Sequence, residues 1–179
     1  VDRLKFDYPS YTGQADEIVQ GEGDIRAIEG TRITVVGKAN QSIQRGHIDF
    51  LQSDATLSSA PQRASLKVKG SPTTEAEVQF PLRMNAERNA ALYRGYRLQF
   101  TNETGQTSVD PIEHTIDVIP DLRPVVQILT PERRTIELPE NSWQQIEVRA
   151  VDPDFKLTRV QLAAQTRGRN LFKENLLTT

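Results

Sequence analysis

The chain has 179 residues, 36% of them hydrophobic and 26% charged, and its 22 lysines and arginines against 24 acids leave a formal net charge of -2. That composition suits a folded chain, and the near balance of charge argues against a basic face for nucleic acid. With no cysteine, disulfides, thiolate zinc sites, iron–sulfur clusters and cysteine nucleophiles are excluded.

The opening "VDRLKFDYPSYTG" is neither a basic n-region nor an apolar h-region. No apolar run approaches the ~20 residues that span a bilayer, so this segment is not expected to cross a membrane. The abrupt start is read as that of an internal piece of a longer exported chain, rather than a cytosolic protein.

The first strand signals lie in "DIRAIEGTRITVVGKA", through Ile25, Ala27, Ile33 and Val35, and in "GHIDF", through Ile48 and Phe50. "ASLKVK" follows with Ala64, Leu66 and Val68, then "EAEVQFPL" with Ala76, Val78, Phe80 and Leu82. "MNAERNAALYRG" holds Ala86, Ala90 and Ala91 but is too short for a stable helix. It is expected to be a turn, or one helical turn, ending at Gly95.

"YRLQF" alternates again through Tyr96, Leu98 and Phe100, and "PIEHTIDV" through Ile112, Ile116 and Val118. Between them, "FTNETGQTS" reads as a hairpin with a left-handed residue among Asn102, Gly105 and Ser108. A period of two puts one face of each run in a core and the other in water. Pro9, Gly13, Gly21, Gly23, Gly30, Pro61, Gly70, Pro72, Gly105 and Pro111 punctuate the runs. With no helices to cover their faces, the layers are expected to be sheet on sheet.

A seam comes next. The strand ending near Ile119 stops at Pro120, which cannot donate to a ladder, and "DLR" leads to Pro124 before "VVQIL" restarts extended structure. Beyond the seam the apolar register returns. Ile136, Leu138 and Glu140 follow Ile25, Ala27 and Glu29; Ile146, Val148 and Ala150 follow Ile33, Val35 and Gly37; Val160 and Leu162 follow Ile48 and Phe50. A repeat of roughly 110 residues matches one immunoglobulin-sized sandwich.

The run "GYRLQFTNETGQTSVDPIEHTIDVIPDLRP" and the later "VVQILTPE", "ELPENS" and "EVRAVDPDFKLTRVQL" carry a resemblance, as does the opening "YPSYTGQADEIVQGEGDIRAIEGTRITVVGKAN". Together they resemble the tandem immunoglobulin-like domains of large, mostly uncharacterised bacterial envelope proteins of planctomycete type. "VDPDFKL" departs from that pattern by lacking a glycine. The resemblance implies an extracytoplasmic setting (periplasm or cell surface), a membrane-anchored chain, and no catalytic residues to carry over.

The expected fold is therefore all-β. An immunoglobulin-like β-sandwich would occupy residues 1–120, followed by a second, incomplete immunoglobulin-like module, the N-terminal half of a sandwich, at residues 121–179. Half a sandwich exposes an apolar face and unpaired edges. Either the domain is cut short, or another chain supplies the missing strands, and a dimer through this module is one way to do so.

Candidate sites are few. Asp152 and Asp154, with Asp121 near the seam, are the carboxylates that calcium would use, although "DPD" also reads as a turn. Trp143 is either a core or interface anchor or, less simply, a sugar platform. Tyr96 reads as a tyrosine-corner residue or as plain core. His114 is in phase with Ile112 and Ile116, which makes it a sheet histidine, and neither it nor His47 has a nucleophile motif beside it. Asn40 and Asn102 sit in accidental sequons, and Arg167, Arg169 and Lys173 read as a solvated charged tail.

The function expected is that of a non-enzymatic interaction segment, without cofactor, that spaces or presents surfaces toward a protein or cell-wall polymer and not nucleic acid. The alternative is a carbohydrate-binding accessory module of an envelope enzyme, using loops near Trp143 or Tyr93.

Overall fold

The computed structural model describes residues 1–53, 62–70, 72–167 and 169–178; Pro61, read above as punctuation, lies outside them. The chain divides into two compact units, Val1–Asp121 and Leu122–Thr179. The division falls one residue after the Pro120 boundary read from the sequence. Both units are all-β, with no α-helix among the described residues.

The first unit contains β1 (Arg3–Asp7), β2 (Glu17–Gln20), β3 (Ile25–Ile28), β4 (Arg32–Lys38), β5 (Ile43–Gln52), β6 (Gln62–Ser65), β7 (Lys67–Val68), β8 (Glu75–Pro81), β9 (Tyr93–Asn102) and β10 (Glu113–Ile119). One sheet has the order β2-β1-β4-β8-β7 and the other β3-β10-β9-β5-β6. β3 runs parallel to β10, while β1–β4, β4–β8, β5–β9 and β9–β10 are antiparallel.

The sheets form a sandwich-like pair around one apolar core. Leu4, Ile33 and Val35 from one sheet and Ile48, Tyr96 and Ile25 from the other are at most 1% exposed. Across the gap the Phe50 and Phe80 rings meet edge to face at 4.9 Å, an arrangement their quadrupoles favour. The alternating positions at Ala76, Val78, Phe80 and Leu82 and at Ile116 and Val118 all point into this core.

The structure departs from the sequence reading at several places. β1 is not anticipated, because only Leu4 and Phe6 alternate in a strand five residues long. Ile112, expected on the core face, is 72% exposed. The β9–β10 register starts at Glu113 opposite Arg97, and the turn through Asp110 (φ 49) holds Ile112 outside the ladder. "MNAERNAALYRG" forms the turn and not the helical turn, with Arg88 N–H to Asn85 O at 3.0 Å. Its backbone folds back on itself through Leu92 N–H to Arg83 O (2.8 Å) and Asn85 N–H to Ala90 O (2.9 Å), and β9 has already begun at Tyr93, before Gly95.

The turn after β9 has the chemistry its sequence suggests. Asn102 Oδ1 accepts from the amides of Thr104 (3.1 Å) and Gln106 (2.8 Å), and Gly105 takes φ 82. A left-handed residue is cheap there only because glycine has no Cβ.

The second unit is built differently. β11 (Val125–Thr130) pairs with β12 (Glu147–Val151), and β13 (Arg159–Thr166) pairs with β14 (Arg169–Thr178), each as a separate two-stranded sheet. No described residue of this unit is buried. Val126 and Ile128, on one face of β11–β12 opposite Ala150 and Val148, are 58% and 59% exposed. Isolated two-stranded ladders are marginal in water; three or more strands with an apolar face are needed for independent stability.

Candidate functional site

Four places in the molecule concentrate polar chemistry. The first is where the chain leaves the first unit. Glu29, in the turn after β3, takes both guanidinium nitrogens of Arg88, at 2.9 and 2.7 Å. Arg88 also donates to the Asp121 carbonyl (2.9 Å), and Tyr11 Oη donates to Asp121 Oδ2 at 2.8 Å. Partial burial, and then the bond to Asp121, pushes the Tyr11 hydroxyl up to about 12. Bidentate arginine–carboxylate pairs fix geometry as well as energy. The site therefore anchors the last residue of the unit.

The second is the outward face of the β10-β9-β5-β6 region. Asp49 in β5 is 7% exposed and is held by Arg63 in β6, with contacts of 2.6 and 3.2 Å. His47 lies 3.7 Å from the same carboxylate. On β10, Glu113 takes Arg97 (2.6 Å) and Arg94 (2.8 Å), which keep its carboxyl below the ordinary range. The groups are acid–base pairs in sequence across the sheet. Across the β5–β6 ladder His47 stands opposite Ser65, and the buried His47 Nε2 has no hydrogen-bond partner among the described residues.

The third surrounds Tyr96, which is fully buried. Its hydroxyl donates to the Gly23 carbonyl at 2.6 Å. A tyrosine corner bonds backbone a few residues upstream; this bond spans 73 residues and ties β9 to the entry of β3. The His114 ring packs against Tyr96 with centroids 5.3 Å apart, and it fills the space where a Cβ on Gly23 would stand. Gly23, read above as turn punctuation, is thus also a close-approach residue.

The electrostatics here give a pH dependence. Burial holds the His114 imidazole below its ordinary 6.5, and Asp24 at 4.0 Å opposes this. A histidine with a depressed folded value binds its proton first in the unfolded chain, so stability falls as pH drops below about 6.5. Asp24, lowered by the Thr115 amide, and Glu113, lowered by Arg97 and Arg94, contribute stability above their ordinary values that is lost as pH falls through the lowered ones. All three act in the same direction. Thermal melts from pH 7 downward should therefore show a loss beginning near 6.5 that His114→Gln removes; an unchanged profile in the variant would contradict this assignment.

The fourth place is the second unit. Asp152 Oδ1 accepts from the amides of Asp154 (3.1 Å) and Phe155 (3.0 Å), and Asp154 Oδ2 accepts from the Leu122 amide at 2.8 Å. These carboxylates therefore close a turn and hold the start of the unit, while Asp121 belongs to the first unit and is engaged by Tyr11. Among the described residues no three histidine or acidic side chains converge where they could hold a metal ion. Trp143 is 89% exposed, so within the described chain it anchors no core.

The sequons differ: Asn40 is exposed, whereas Asn102 Nδ2 donates to Gln41 and Gln106. An open groove of about 500 Å³ lies beside β7 and β8, but its charges, Arg3 with Glu75 and Lys69 with Glu77, are paired with one another. Among the described residues no helix is long and apolar enough to cross a membrane. No family model matches the chain, and no curated protein matches it significantly.

Proposed function

We propose that the chain is a non-enzymatic segment of a longer extracytoplasmic, membrane-anchored protein. In this reading immunoglobulin-like modules in series space and present surfaces that dock a protein or a cell-wall polymer. The observation that carries it is the contrast between the two units. The repeated apolar register places Val148 where Val35 stands and Ile146 where Ile33 stands, yet Val35 and Ile33 are 0% exposed while no described residue of the second unit is buried. A unit with the strand pattern of a sandwich and no buried residue among those described is completed by packing on something else.

The immunoglobulin-like reading draws support from the strand orders β1-β4-β8-β7 and β3-β10-β9-β5-β6, with the first part of the chain crossing from one sheet to the other and β3 running parallel to the last strand. In the second unit, residues 136–138, the counterparts of Ile25 to Ala27, form no strand. The difference has a simple cause: β3 exists by pairing with β10, and the second unit has no such partner among its described residues.

Cell fractionation with an antibody against Val1–Asp121 tests the setting. Recovery with the envelope is expected; recovery with the cytosol would overturn it. A second reading, a carbohydrate-binding accessory module, is favoured by the exposed Trp143 ring. Glycan-array binding that Trp143→Ala abolishes would select it over the first.

A further inference from the structure

In the first unit the loop after β4 and the turn after β9 meet around a cleft of about 210 Å³. Gln41 lines it from the loop, and Asn102 and Gln106 line it from the end of β9 and its turn. Ala39 and Phe100, both half-buried, supply an apolar wall. None of its described lining residues is charged.

Hydrogen-bond polarity fixes what this cleft offers. A backbone N–H only donates, so the Asn102 side chain has one possible orientation. Its Oδ1 accepts from the Thr104 and Gln106 amides, at 3.1 and 2.8 Å. Nδ2 therefore faces the two glutamines, and Oε1 of Gln41 and of Gln106 accept from it at 2.8 and 3.1 Å. With both oxygens turned to Asn102, neither glutamine NH2 group has an acceptor among the described residues. Two long, exposed side chains are thus held as a pair of donors beside an apolar wall. A matching ligand brings an acceptor oxygen with a small apolar group next to it. It is also neutral, because a charged one would find no opposite charge in the lining.

We propose that this cleft takes the acetamido group of a neutral, N-acetylated glycan. The carbonyl oxygen accepts from Nε2 of Gln41 and Gln106, and the methyl group lies against Ala39 and Phe100. Ser42 lines both this cleft and the groove of about 500 Å³ beside β7 and β8, so the sugars that follow continue into that groove. The groove is neutral as well: its two acids meet its two cations, Glu75 with Arg3 at 3.1 Å and Glu77 with Lys69 at 2.8 Å. Such pairs keep donors and acceptors for sugar hydroxyls while presenting no net charge. The proposal rests on the reading of the chain as a docking segment and names the ligand and the place.

Calorimetric titration of the full chain tests it, with a soluble hexamer of β-1,4-linked N-acetylglucosamine and the glucose hexamer of the same linkage as probes. The first should bind, and the second at least about tenfold more weakly, since it lacks the acetamido group. Raising salt from about 0.1 to 1 M, which shortens the screening length about threefold, should leave the affinity unchanged. Gln41→Glu and Gln106→Glu each keep an oxygen for Asn102 but replace the donor with an acceptor, so each should weaken binding about tenfold or more. Unaltered thermal melts of the two variants show that the fold is intact. No binding of either hexamer, equal binding of both, or affinity that falls steeply with salt overturns the proposal. So does binding that survives both glutamine changes; if Trp143→Ala then abolishes it, the site lies there and the accessory-module reading stands. Recovery of the chain with the cytosol, with the hexamer still bound through Gln41 and Gln106, overturns the envelope setting and leaves this site in place.

Discussion

Tyr96→Ala should be the most damaging single truncation in the first unit, costing about 3–5 kcal/mol. The side chain is fully buried and packs against Phe80 and His114. Its loss leaves a cavity between the sheets and strips the Gly23 carbonyl of its donor. At the size of this unit that cost lowers the melting temperature by roughly 10 to 20 °C. Tyr96→Phe separates the two contributions. It keeps the ring and removes only the hydroxyl, leaving a buried carbonyl unpaired for about 1–3 kcal/mol. Equal melting of Tyr96→Phe and wild type would show that the long-range bond to Gly23 contributes nothing to stability.

Gly95→Ala is the second large effect, and it arises from too much matter instead of too little. A Cβ at Gly95 would stand 2.5 Å from the His114 carbonyl oxygen, across the β9–β10 ladder. The obstacle is backbone, so no rotamer change relieves it and two central strands must separate. The expected cost is about 3 kcal/mol, the upper end for overpacking. At Gly46 the added carbon would meet Gln99 O at 3.1 Å, and Gly46→Ala should be much milder. Denaturant melts of the two variants side by side check the ranking, and similar midpoints would contradict it.

These two residues also show what a sequence can and cannot announce. Tyr96, Leu98 and the Ala76-to-Leu82 run were legible because a strand with one wet face writes its structure at every second residue. β4 is less plainly written: Thr34 and Val36 are buried along with Ile33 and Val35, so strict alternation fails where both faces are covered. β1 was missed because two alternating residues are too few to stand out.

The network of Tyr11, Glu29, Arg88 and Asp121 was invisible for a different reason. Its members are joined by turns, and Arg88 occupies a left-handed position (φ 56) that no local pattern demanded. The bonds from Tyr11 and Arg88 to Asp121 span 110 and 33 residues. Their identities are ordinary surface residues until the fold brings them together. By contrast the acids of "DPD" were read both as ligands and as a turn, and Asp152 does the work of a turn by accepting from two following amides.

The seam at Pro120 was readable from proline alone, since a residue with no N–H ends a ladder wherever a donor is required. What the sequence could not supply is the state of the second unit. Apolar residues at alternate positions look the same whether or not a partner covers them. Only coordinates distinguish Val35 at 0% exposure from Ile128 at 59%.

Residue-resolved hydrogen exchange on the chain at low concentration is the most direct check on this division of the molecule. Amides of β4, β5, β8 and β9 should exchange only through global unfolding of Val1–Asp121, while those of β11 to β14 exchange orders of magnitude faster through local opening. Equal protection throughout both units, lost in one cooperative step, would contradict the view that a finished sandwich-like body is followed by a unit awaiting its remaining strands.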